Sequence, residues 1–410
     1  MNPFTSFYLQ DDLRVTSRLR LNLGLRFEYE GGIRERFNRG LGGGFYFDDK
    51  LPISDPVEAA YAKSPIPELA ASAFRVRGGT RYLGQDAPET ISKGTTNLLP
   101  RLGLVYQVTP GTVIRGGYGW FFDSNSTASY EINQWGYSQS TITQMSVDNG
   151  LSFVTTIKDP FPIRSDGTRF DEPLRNKLGM MALAGQNWDF FDPDWKAQSQ
   201  QRWRVAVQRQ LSTNMVVEIG YTGSWSRTNI TRRLDALPTN FWATGAARDN
   251  TIENQMNQSV TNPYRYTNLG AVQTSDPVLY SYLRNQSRFS GTTIRKNELL
   301  RPYSQITRLR TTTCPDGRVR YHAAEFQLEK RFSRGFMFNL LYTFTNSETS
   351  DWYANEFDPL PTWRPNNNTM PHRFVFTGIY ELPFGPGKAL LKRGVPGQII
   401  GGWQFSTVYQ

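Results

Sequence analysis

A strict alternation of apolar and polar residues in LRLNLGLRFEYE, residues 19–30, constrains the fold of this chain more than any other feature. One face carries four leucines followed by Phe27 and Tyr29, and the other carries only polar residues and glycine. A period of two is that of a β-strand, because successive side chains point to opposite sides of the pleat. The run has about the length of a tilted strand that crosses a bilayer. The two aromatic residues at its end suit the aromatic girdle that such strands carry at the level of the lipid headgroups. The segment therefore predicts a transmembrane β-barrel.

The aromatic content and the lack of long apolar runs both suit a membrane barrel. The 410 residues include 26 Phe, 20 Tyr and 10 Trp, enough to supply two aromatic girdles. No run of about twenty apolar residues occurs, so the sequence predicts no transmembrane helix. Since spanning chains are either helices or closed barrels, an antiparallel all-β barrel is the predicted spanning structure.

Charge and reactive residues argue against several other functions. The formal charge is +10, but Lys and Arg are scattered among strands and loops, which does not favour nucleic-acid binding. Cys314, the single cysteine, is expected to be an unpaired loop thiol. His322 and His372 each follow a long polar stretch and are expected to begin a strand at the barrel rim. No nucleophile–base pair and no Cys/His cluster at metal spacing occurs, so neither an enzyme nor a cofactor is predicted.

Segments with this alternation predict ten antiparallel strands, joined alternately by short turns and long polar stretches. The strands are predicted at 4–13, 19–30, 98–108, 113–122, 201–210, 215–225, 321–332, 336–344, 373–382 and 403–410. The turns lie near 14–18, 109–111, 211–214 and 333–335, and the long stretches, which show no sustained period, near 31–97, 123–200 and 226–320. Outer-membrane barrels combine short periplasmic turns with long extracellular loops. This regularity therefore predicts the outer membrane of a Gram-negative-type cell.

The polar face of each predicted strand would line a lumen. Its charged residues either pair with one another or contact a substrate or a plug, and they are Arg26, Glu28, Arg101, Arg115, Arg204, Glu218, Glu325 and Glu329. Small residues are also frequent there, namely Gly24, Gly103, Gly117, Gly119, Ala206, Gly220, Ala323 and Thr343. They would pack a narrow ten-strand barrel poorly and suit a wide lumen that another element occupies. We therefore expect an open or partial curved sheet with 4–13 and 403–410 as unpaired or weakly paired edges.

Two loop features resemble ligand sites only superficially. WDFFDPDW contains Asp189, Asp192 and Asp194, which could bind calcium, but their spacing is not that of an EF-hand. A solvated turn with an aspartate cap is the favoured interpretation. GLGGG at 40–44 lacks the Lys-Ser/Thr and the helix of a phosphate loop, and it is interpreted as a flexible loop.

Five segments resemble motifs of the TonB-dependent outer-membrane receptors. They are FYLQDDLRVTSRLRLNLGLRFEYE, LLPRLGLVYQVTPGTVIRGGYGWFFD, QRWRVAVQRQLSTNMVVEIGYTGS, YHAAEFQLEKRFSRGFMFNLLYTFTNS and HRFVFTGIYELPFGPGK. The Oar-like subgroup, whose full chains begin with a carboxypeptidase-regulatory-like domain, is the most similar. The resemblance spans nearly the whole chain and leaves the long loops unmatched.

This resemblance implies a 22-stranded barrel filled by an N-terminal plug, with transport energised by the inner-membrane TonB complex through a TonB box. The sequence shows no plug and no TonB box, and its N-terminal residues lack the basic and apolar regions of a signal peptide. We therefore expect residues 1–410 to form a partial β-barrel domain of such a receptor, with about ten of the strands.

Three functions are compatible with the sequence. The first is a receptor for TonB-energised uptake of a large nutrient of the siderophore, oligosaccharide or peptide class. The others are a passive porin-like channel and a surface adhesin-like barrel. The expected partners are outer-membrane lipid, the plug and the TonB complex, and an extracellular ligand bound by the loops, with no nucleic acid.

Overall fold

An antiparallel sheet whose strands follow one another in chain order is the framework of this protein. The computed structural model describes residues 2–35, 42–84, 88–124, 135–143, 145–192, 195–245 and 247–410. The strands are β1 (Phe4–Arg14), β2 (Leu19–Glu30), β3 (Gly42–Lys50), β4 (Arg77–Tyr82), β5 (Thr95–Thr109), β6 (Thr112–Phe122), β7 (Asn187–Phe190), β8 (Ser199–Ser212), β9 (Met215–Arg233), β10 (Ser259–Thr261), β11 (Thr293–Arg295), β12 (Arg308–Ser333), β13 (Phe336–Ser350), β14 (Arg364–Pro365), β15 (His372–Glu381) and β16 (Gln404–Tyr409). Ten of these described strands form one hydrogen-bonded path, β1-β2-β5-β6-β8-β9-β12-β13-β15-β16, which confirms the ten predicted strands.

The register of this sheet gathers the apolar residues of adjacent strands on one face. Phe27 of β2 lies opposite Phe7 of β1, and Leu21 of β2 lies opposite Leu104 of β5. The intervening residues, such as Arg26, lie on the opposite face. We name the apolar side the outer face and the polar side the inner face.

The outer face is apolar and exposed, whereas the inner face is polar and partly covered. Leu23 and Leu25 on the outer face are 39% and 47% exposed. On the inner face of the same strand, the side chains of Arg26 and Glu28 are 32% and 12% exposed. A soluble sheet buries its apolar rows, and a large exposed apolar area marks contact with a partner or a membrane. This distribution is that of a barrel wall with lipid on its outer side.

Short turns join the strands into hairpins at one end of the sheet. The β12–β13 turn consists of Arg334 and Gly335, which have φ angles of +52° and +84°. Two central residues with positive φ form a type I′ turn, whose twist matches that of the flanking strands. The β15–β16 connection lies at the same end, because the backbone N–H of Glu381 donates to the carbonyl of Gly335 at 2.7 Å.

The outermost strands of the described sheet each have one partner strand. β1 pairs with β2, β16 pairs with β15, and no described ladder joins β1 to β16. At these edges Leu9 is 78% exposed and Tyr409 is 65% exposed. The open or partial sheet that the sequence predicts stays a prediction.

The long segments between the hairpins contain regular structure, which corrects their interpretation as loops without a sustained pattern. The helices are α1 (Ser54–Ala62), α2 (Asn250–Met256), α3 (Gly270–Ser275), α4 (Pro277–Arg284), α5 (Ser287–Ser290), α6 (Lys296–Leu299) and, in the β15–β16 connection, α7 (Val395–Ile400). Single 3₁₀ turns occur at Gly179–Met181, Thr239–Phe241 and Tyr266–Asn268. None of the helices in the described ranges is long and apolar enough to cross a membrane.

These long segments pack together into one unit, which we name the cap and define as residues 42–83, 178–190 and 234–307. Its apolar core takes buried side chains from each segment, including Tyr61, Met181 and Phe289. Burial of one such side chain stabilises by about 1.5–3 kcal/mol. Segments far apart in sequence therefore hold one another in place at one end of the sheet.

The cap rests on an extension of β12 into a stretch that the sequence predicts to be a loop. β12 has 26 residues and β9 has 19, so part of the predicted 226–320 loop is strand. β7 pairs in parallel with the first residues of β12, and the fully buried Leu309 packs with Phe45 and Trp188. In the predicted GLGGG loop, residues 42–44 instead begin β3, and residues 40 and 41 lie outside the described residues.

Candidate functional site: the inner face and the cap

The register places the eight charged residues that the sequence assigned to a lumen on the inner face of the sheet. Five of them form two contact groups, and three lie apart from these groups. The grouped residues are Arg26 with Glu28, and Arg204 with Glu218 and Glu325. The other three are Arg101, Arg115 and Glu329.

Arg204 of β8 bridges two carboxylates on neighbouring strands. Its Nη2 donates to Glu218 at 2.8 Å and to Glu325 at 2.7 Å. Thr222 Oγ1 donates to the second oxygen of Glu325 at 3.0 Å. Gly220 makes room for this group, since a Cβ there would lie 3.2 Å from Arg204 Nη2. The cluster joins β8, β9 and β12 and leaves one negative charge in excess on the inner face.

Replacing Arg204 with glutamine is expected to destabilise the sheet by about 1 kcal/mol, because two carboxylates then face each other without a cation. The effect is modest because the Arg204 side chain is 46% exposed, and it should shrink at high salt. Denaturant titration of the membrane-inserted protein at low and high salt measures it. Arg202→Gln, an exposed arginine on the same strand and face, is the control. An equal loss in both variants would contradict the role of the cluster.

Arg26 and Arg101 have different partners on the inner face. Arg26 Nε lies 2.5 Å from Glu28 Oε1, and its Nη2 donates to Ser6 Oγ at 2.8 Å. The guanidinium of Arg101 lies 5.2 Å from the centre of the Phe121 ring, a cation–π distance. Phe121 is an aromatic residue on the inner face that the sequence analysis missed, although its position in the alternation of β6 was available.

Arg115 and Glu329 lie towards the short-turn end of the sheet. Arg115 lines an open recess of about 560 Å³ together with Arg20 and Asp12. Glu329 is exposed and lies opposite Asn339 of β13. The inner face at this end is therefore open and of mixed polarity, since Val105 lies opposite Arg115 in the ladder and also lines the recess.

Small residues dominate the inner face between these charges. Gly103 lies opposite Gly117 across β5 and β6, and Ala206 and Ala323 are only 2% and 1% exposed. Towards the cap, buried hydroxyl residues continue this face on β9 and β13, namely Thr222, Ser224, Thr345, Ser347 and Thr349. At these positions the inner face carries short side chains, which suits passage or packing of a polar body beside it.

The histidines lie on the outer face, and one of them departs from the prediction. His372 begins β15 as predicted, whereas His322 lies inside β12, because that strand extends further than expected. Their Nδ1 atoms lie 2.7 and 2.8 Å from the hydroxyls of Tyr221 and Tyr342, respectively. Such amphipathic pairs suit the headgroup level of a membrane.

Cys314 is a buried strand residue rather than a loop thiol, because β12 begins before it. Its Sγ donates to Asp316 at 3.2 Å, and Tyr353 donates to the same carboxylate at 2.7 Å. Burial, reinforced by this carboxylate, raises the pKa of the Cys314 thiol to about 11. The thiol is therefore protonated and unreactive at neutral pH.

Asp189 anchors the cap to β12 and is not a residue of a solvated turn. It lies in β7 and accepts hydrogen bonds from Arg310 Nε and Nη2 at 2.9 and 2.6 Å. Arg308 adds a weaker contact at 3.5 Å. A bidentate arginine–carboxylate pair fixes orientation as well as distance. The cap is therefore joined to the sheet by a ladder and by ion pairs at the same place.

The other loop acids give no support to a calcium site. The backbone N–H of Asp192 donates to Thr313 Oγ1 at 2.7 Å, and Asp194 lies outside the described residues. Across the described ranges, no group of three or more His, Cys, Asp or Glu residues could hold a metal ion.

We expect the contact between the cap and β12 to weaken below about pH 4. Hydrogen bonds from Arg310 hold the pKa of Asp189 below its usual value. A carboxyl with a lowered folded-state pKa contributes stability that is present above its unfolded pKa of about 3.9 and is lost as pH falls through the folded pKa. The protection of the β7 amides from hydrogen exchange, measured as a function of pH, reports this weakening. Asp189→Asn should remove the pH dependence of that protection. Asp48→Asn, at an exposed ion pair of the cap, is the control, and an unchanged pH profile in Asp189→Asn would contradict the assignment.

Comparisons with known proteins give one family match and several weak structural similarities. Residues 2–410 match a family model described as an outer membrane beta barrel domain. No curated protein matches the chain. Similar solved structures include the alcaligin outer membrane receptor FauA from Bordetella pertussis, the siderophore receptor PiuA from Acinetobacter baumannii and the ferric yersiniabactin uptake receptor FyuA from Yersinia pestis.

The similarity to these three structures is weak in both sequence and superposition. In the order given, identities are 8%, 9% and 7%, each with a TM-score of 0.33. The alignments cover 93%, 92% and 94% of this chain and 35%, 31% and 32% of the solved chains. The chain thus spans about a third of the length of these receptors.

Proposed function

We propose that this chain, which belongs to the outer membrane beta-barrel domain family, forms part of the wall and the external cap of a receptor for TonB-energised nutrient uptake. The proposed substrate is a large nutrient of the siderophore, oligosaccharide or peptide class. One observation carries the proposal, namely a polar inner face of small residues beside a packed cap at one end of the sheet.

The inner face supports transport of a large solute rather than a filled interior. Its glycines and alanines keep side chains short over several adjacent strands, as at Gly103 and Gly117. Charged groups such as the Arg204 cluster remain at the surface of this wall and can bind a polar solute or a plug. The eight inner-face charges are therefore proposed as contacts for substrate or plug.

The cap supports a binding role at the outer end of such a pathway. It holds a polar recess of about 350 Å³, within the usual size range of small-molecule sites, lined by Asn262, Arg288, Thr293 and Glu298 among others. Because the cap has its own core, these side chains are held by packed elements rather than by mobile loops. A polar extracellular ligand is the proposed occupant.

We also propose that the ten strands belong to a 22-stranded barrel with a plug that connects to the TonB complex. The outermost strands β1 and β16 each have one described partner, and unpaired strand edges are costly in lipid. Additional strands would satisfy both edges, and a plug would fill the space that the small inner-face residues leave.

A second candidate function, adhesion, is favoured by one observation. In the described part of the β6–β8 connection, Ile142, Leu151 and Ile157 are 85%, 89% and 92% exposed. Three strongly exposed apolar side chains in one connection suit contact with another macromolecule.

Uptake assays separate these functions. Cells that produce the natural protein should accumulate labelled siderophore, oligosaccharide or peptide with saturable kinetics. A protonophore that removes the energy for TonB should abolish this accumulation. Uptake that does not saturate and survives the protonophore would instead identify a passive channel. Binding of cells or proteins without any uptake would identify an adhesin.

The long connections, including the cap, should lie at the cell surface and the short turns in the periplasm. In a Cys314→Ser background, Ser152→Cys in the β6–β8 connection should react with an impermeant maleimide on intact cells. Asn214→Cys in the β8–β9 turn should react only after the outer membrane is opened. The reverse pattern would show that the sheet has the opposite orientation.

A further inference from the structure

Three side chains with metal-binding atoms meet beside the cap end of β12. Cys314 and Asp316 lie in β12, and Tyr353 lies in the β13–β14 connection. Cys314 Sγ lies 3.2 Å from Asp316 Oδ2, and the Tyr353 hydroxyl lies 2.7 Å from the same oxygen. The sulfur and the hydroxyl oxygen are 3.8 Å apart. A thiol, a carboxylate and a phenol thus place one sulfur and two oxygen atoms at the corners of a small triangle.

The size of this triangle fits a metal ion. The point equidistant from its three atoms lies about 1.9 Å from each of them, as the three separations require. Zinc binds carboxylate oxygen at about 2.0–2.2 Å and thiolate sulfur at about 2.3 Å. A cation slightly above the plane of the three atoms would therefore reach all of them after side-chain shifts of a few tenths of an ångström.

The backbone of β12 is irregular on both sides of the cysteine. Its register with β9 shifts between Thr311 and Cys314 and shifts again between Cys314 and Gly317. Only glycine fits at the second irregularity, since a Cβ at Gly317 would lie 2.4 Å from Thr228 Oγ1. Such irregularities re-aim side chains and are frequent beside functional sites. Here they bring Cys314 and Asp316, two positions apart, onto the same tyrosine hydroxyl.

The charge around the triangle suits a divalent cation. Arg232 Nη1 lies 3.6 Å from Asp316, and its guanidinium lies 4.8 Å from the centre of the Tyr353 ring. A thiolate, a carboxylate and a phenolate carry three negative charges, which one divalent cation and Arg232 would balance. Cys314 is only 5% exposed, whereas the Asp316 side chain is 28% exposed, so water can reach one side of the group.

We infer that Cys314, Asp316 and Tyr353 form a binding site for Zn²⁺, with water completing the coordination. The thiolate favours zinc over Mg²⁺ and Ca²⁺, which prefer oxygen ligands alone. Binding would form one metal–sulfur and two metal–oxygen bonds, release the thiol and phenol protons to solvent, and transfer no electron. The bound cation would fix the β13–β14 connection to β12. The site needs only two residues of the Cys, His, Asp and Glu types, because its third ligand is a phenol.

Cobalt titration of the purified natural protein in detergent tests this inference. The protein is stripped with a chelator after removal of any affinity tag, and Co²⁺ serves as the probe. We expect one equivalent of Co²⁺ to produce a thiolate-to-metal charge-transfer absorption, and Zn²⁺ to displace it. Because Cys314 is the single cysteine, this absorption reports the site alone. Cys314→Ser should abolish it. Tyr353→Phe and Asp316→Asn should each weaken Co²⁺ binding by roughly tenfold or more, since even the residues behind metal ligands contribute that much.

A neighbouring carboxylate supplies the control, and thermal unfolding supplies a second readout. Asp351 pairs with Arg364 beside the same connection, so Asp351→Asn should leave the absorption and the Co²⁺ affinity unchanged. Zn²⁺ should raise the unfolding temperature of the natural protein and of Asp351→Asn, but not that of Cys314→Ser, because a ligand stabilises only the fold that binds it. Tyr353→Phe removes a single oxygen atom, so it separates loss of a ligand from loss of folding. Absence of the charge-transfer absorption, equal Co²⁺ affinity in Cys314→Ser, or tighter binding of Ca²⁺ than of Zn²⁺ would overturn the inference.

Discussion

Replacing Phe289 with alanine is expected to destabilise the cap by about 3–5 kcal/mol, the usual cost of removing a large aromatic side chain from a packed core. Phe289 lies in α5, is fully buried, and packs against Tyr264 at 5.9 Å between ring centres. The cavity would lie where segments from different connections meet. All three cap segments should therefore lose stability. The ten-strand sheet should keep its structure, because its ladders do not depend on this core.

Hydrogen exchange resolved along the chain measures this effect. Protection should fall throughout the three cap segments and stay unchanged in β5, β6, β8 and β9. Val278→Ala is the control, since Val278 lies in the same cap but is 45% exposed. Loss of protection confined to α5 would show that the cap is not one cooperative unit.

Replacing Leu104 with arginine is expected to destabilise the inserted protein by about 2–4 kcal/mol, the cost of a positive charge near the midplane of a barrel. Leu104 lies on the outer face opposite Leu21, and the band of apolar side chains continues on both sides of it. Leu21→Arg should have a similar effect. The charge would have to enter lipid, because the inner face lies on the opposite side of the strand.

Folding titrations in lipid vesicles measure this cost. Gln107→Ala and Arg20→Ala, which change inner-face residues of the same two strands, should cost much less. Equal losses from changes on the two faces would contradict the assignment of lipid to the outer face.

The alternation in the sequence is sufficient to specify the sheet, because successive residues of every spanning strand face lipid on one side and the polar lumen on the other. This rule is local, so it could be recognised within a single segment, and β2 has the predicted bounds Leu19–Glu30. The same rule places Arg204 and Glu325 on the inner face. Their joining into one cluster depended on register, which places Gly220 opposite Glu325.

The sequence also contains local signals for some elements of the cap. Asp276 followed by Pro277 is a local signal for the start of α4, and Asp276 accepts a hydrogen bond from the Leu279 N–H at 2.9 Å. The helix has only 8 residues, however, which is too short for its apolar period to stand out in a polar stretch.

The association of the long segments and the length of β12 depend on contacts between residues that are far apart in the sequence. Asp189 and Arg310 are separated by 121 residues. No local sequence pattern around either residue indicates that the two side chains pair. The first residues of β12 are held as strand by β7 and β9 on either side. Packing and strand pairing between distant segments supply the free energy that stabilises these elements. The spanning strands, in contrast, are specified by the lipid on their outer face and the polar environment on their inner face.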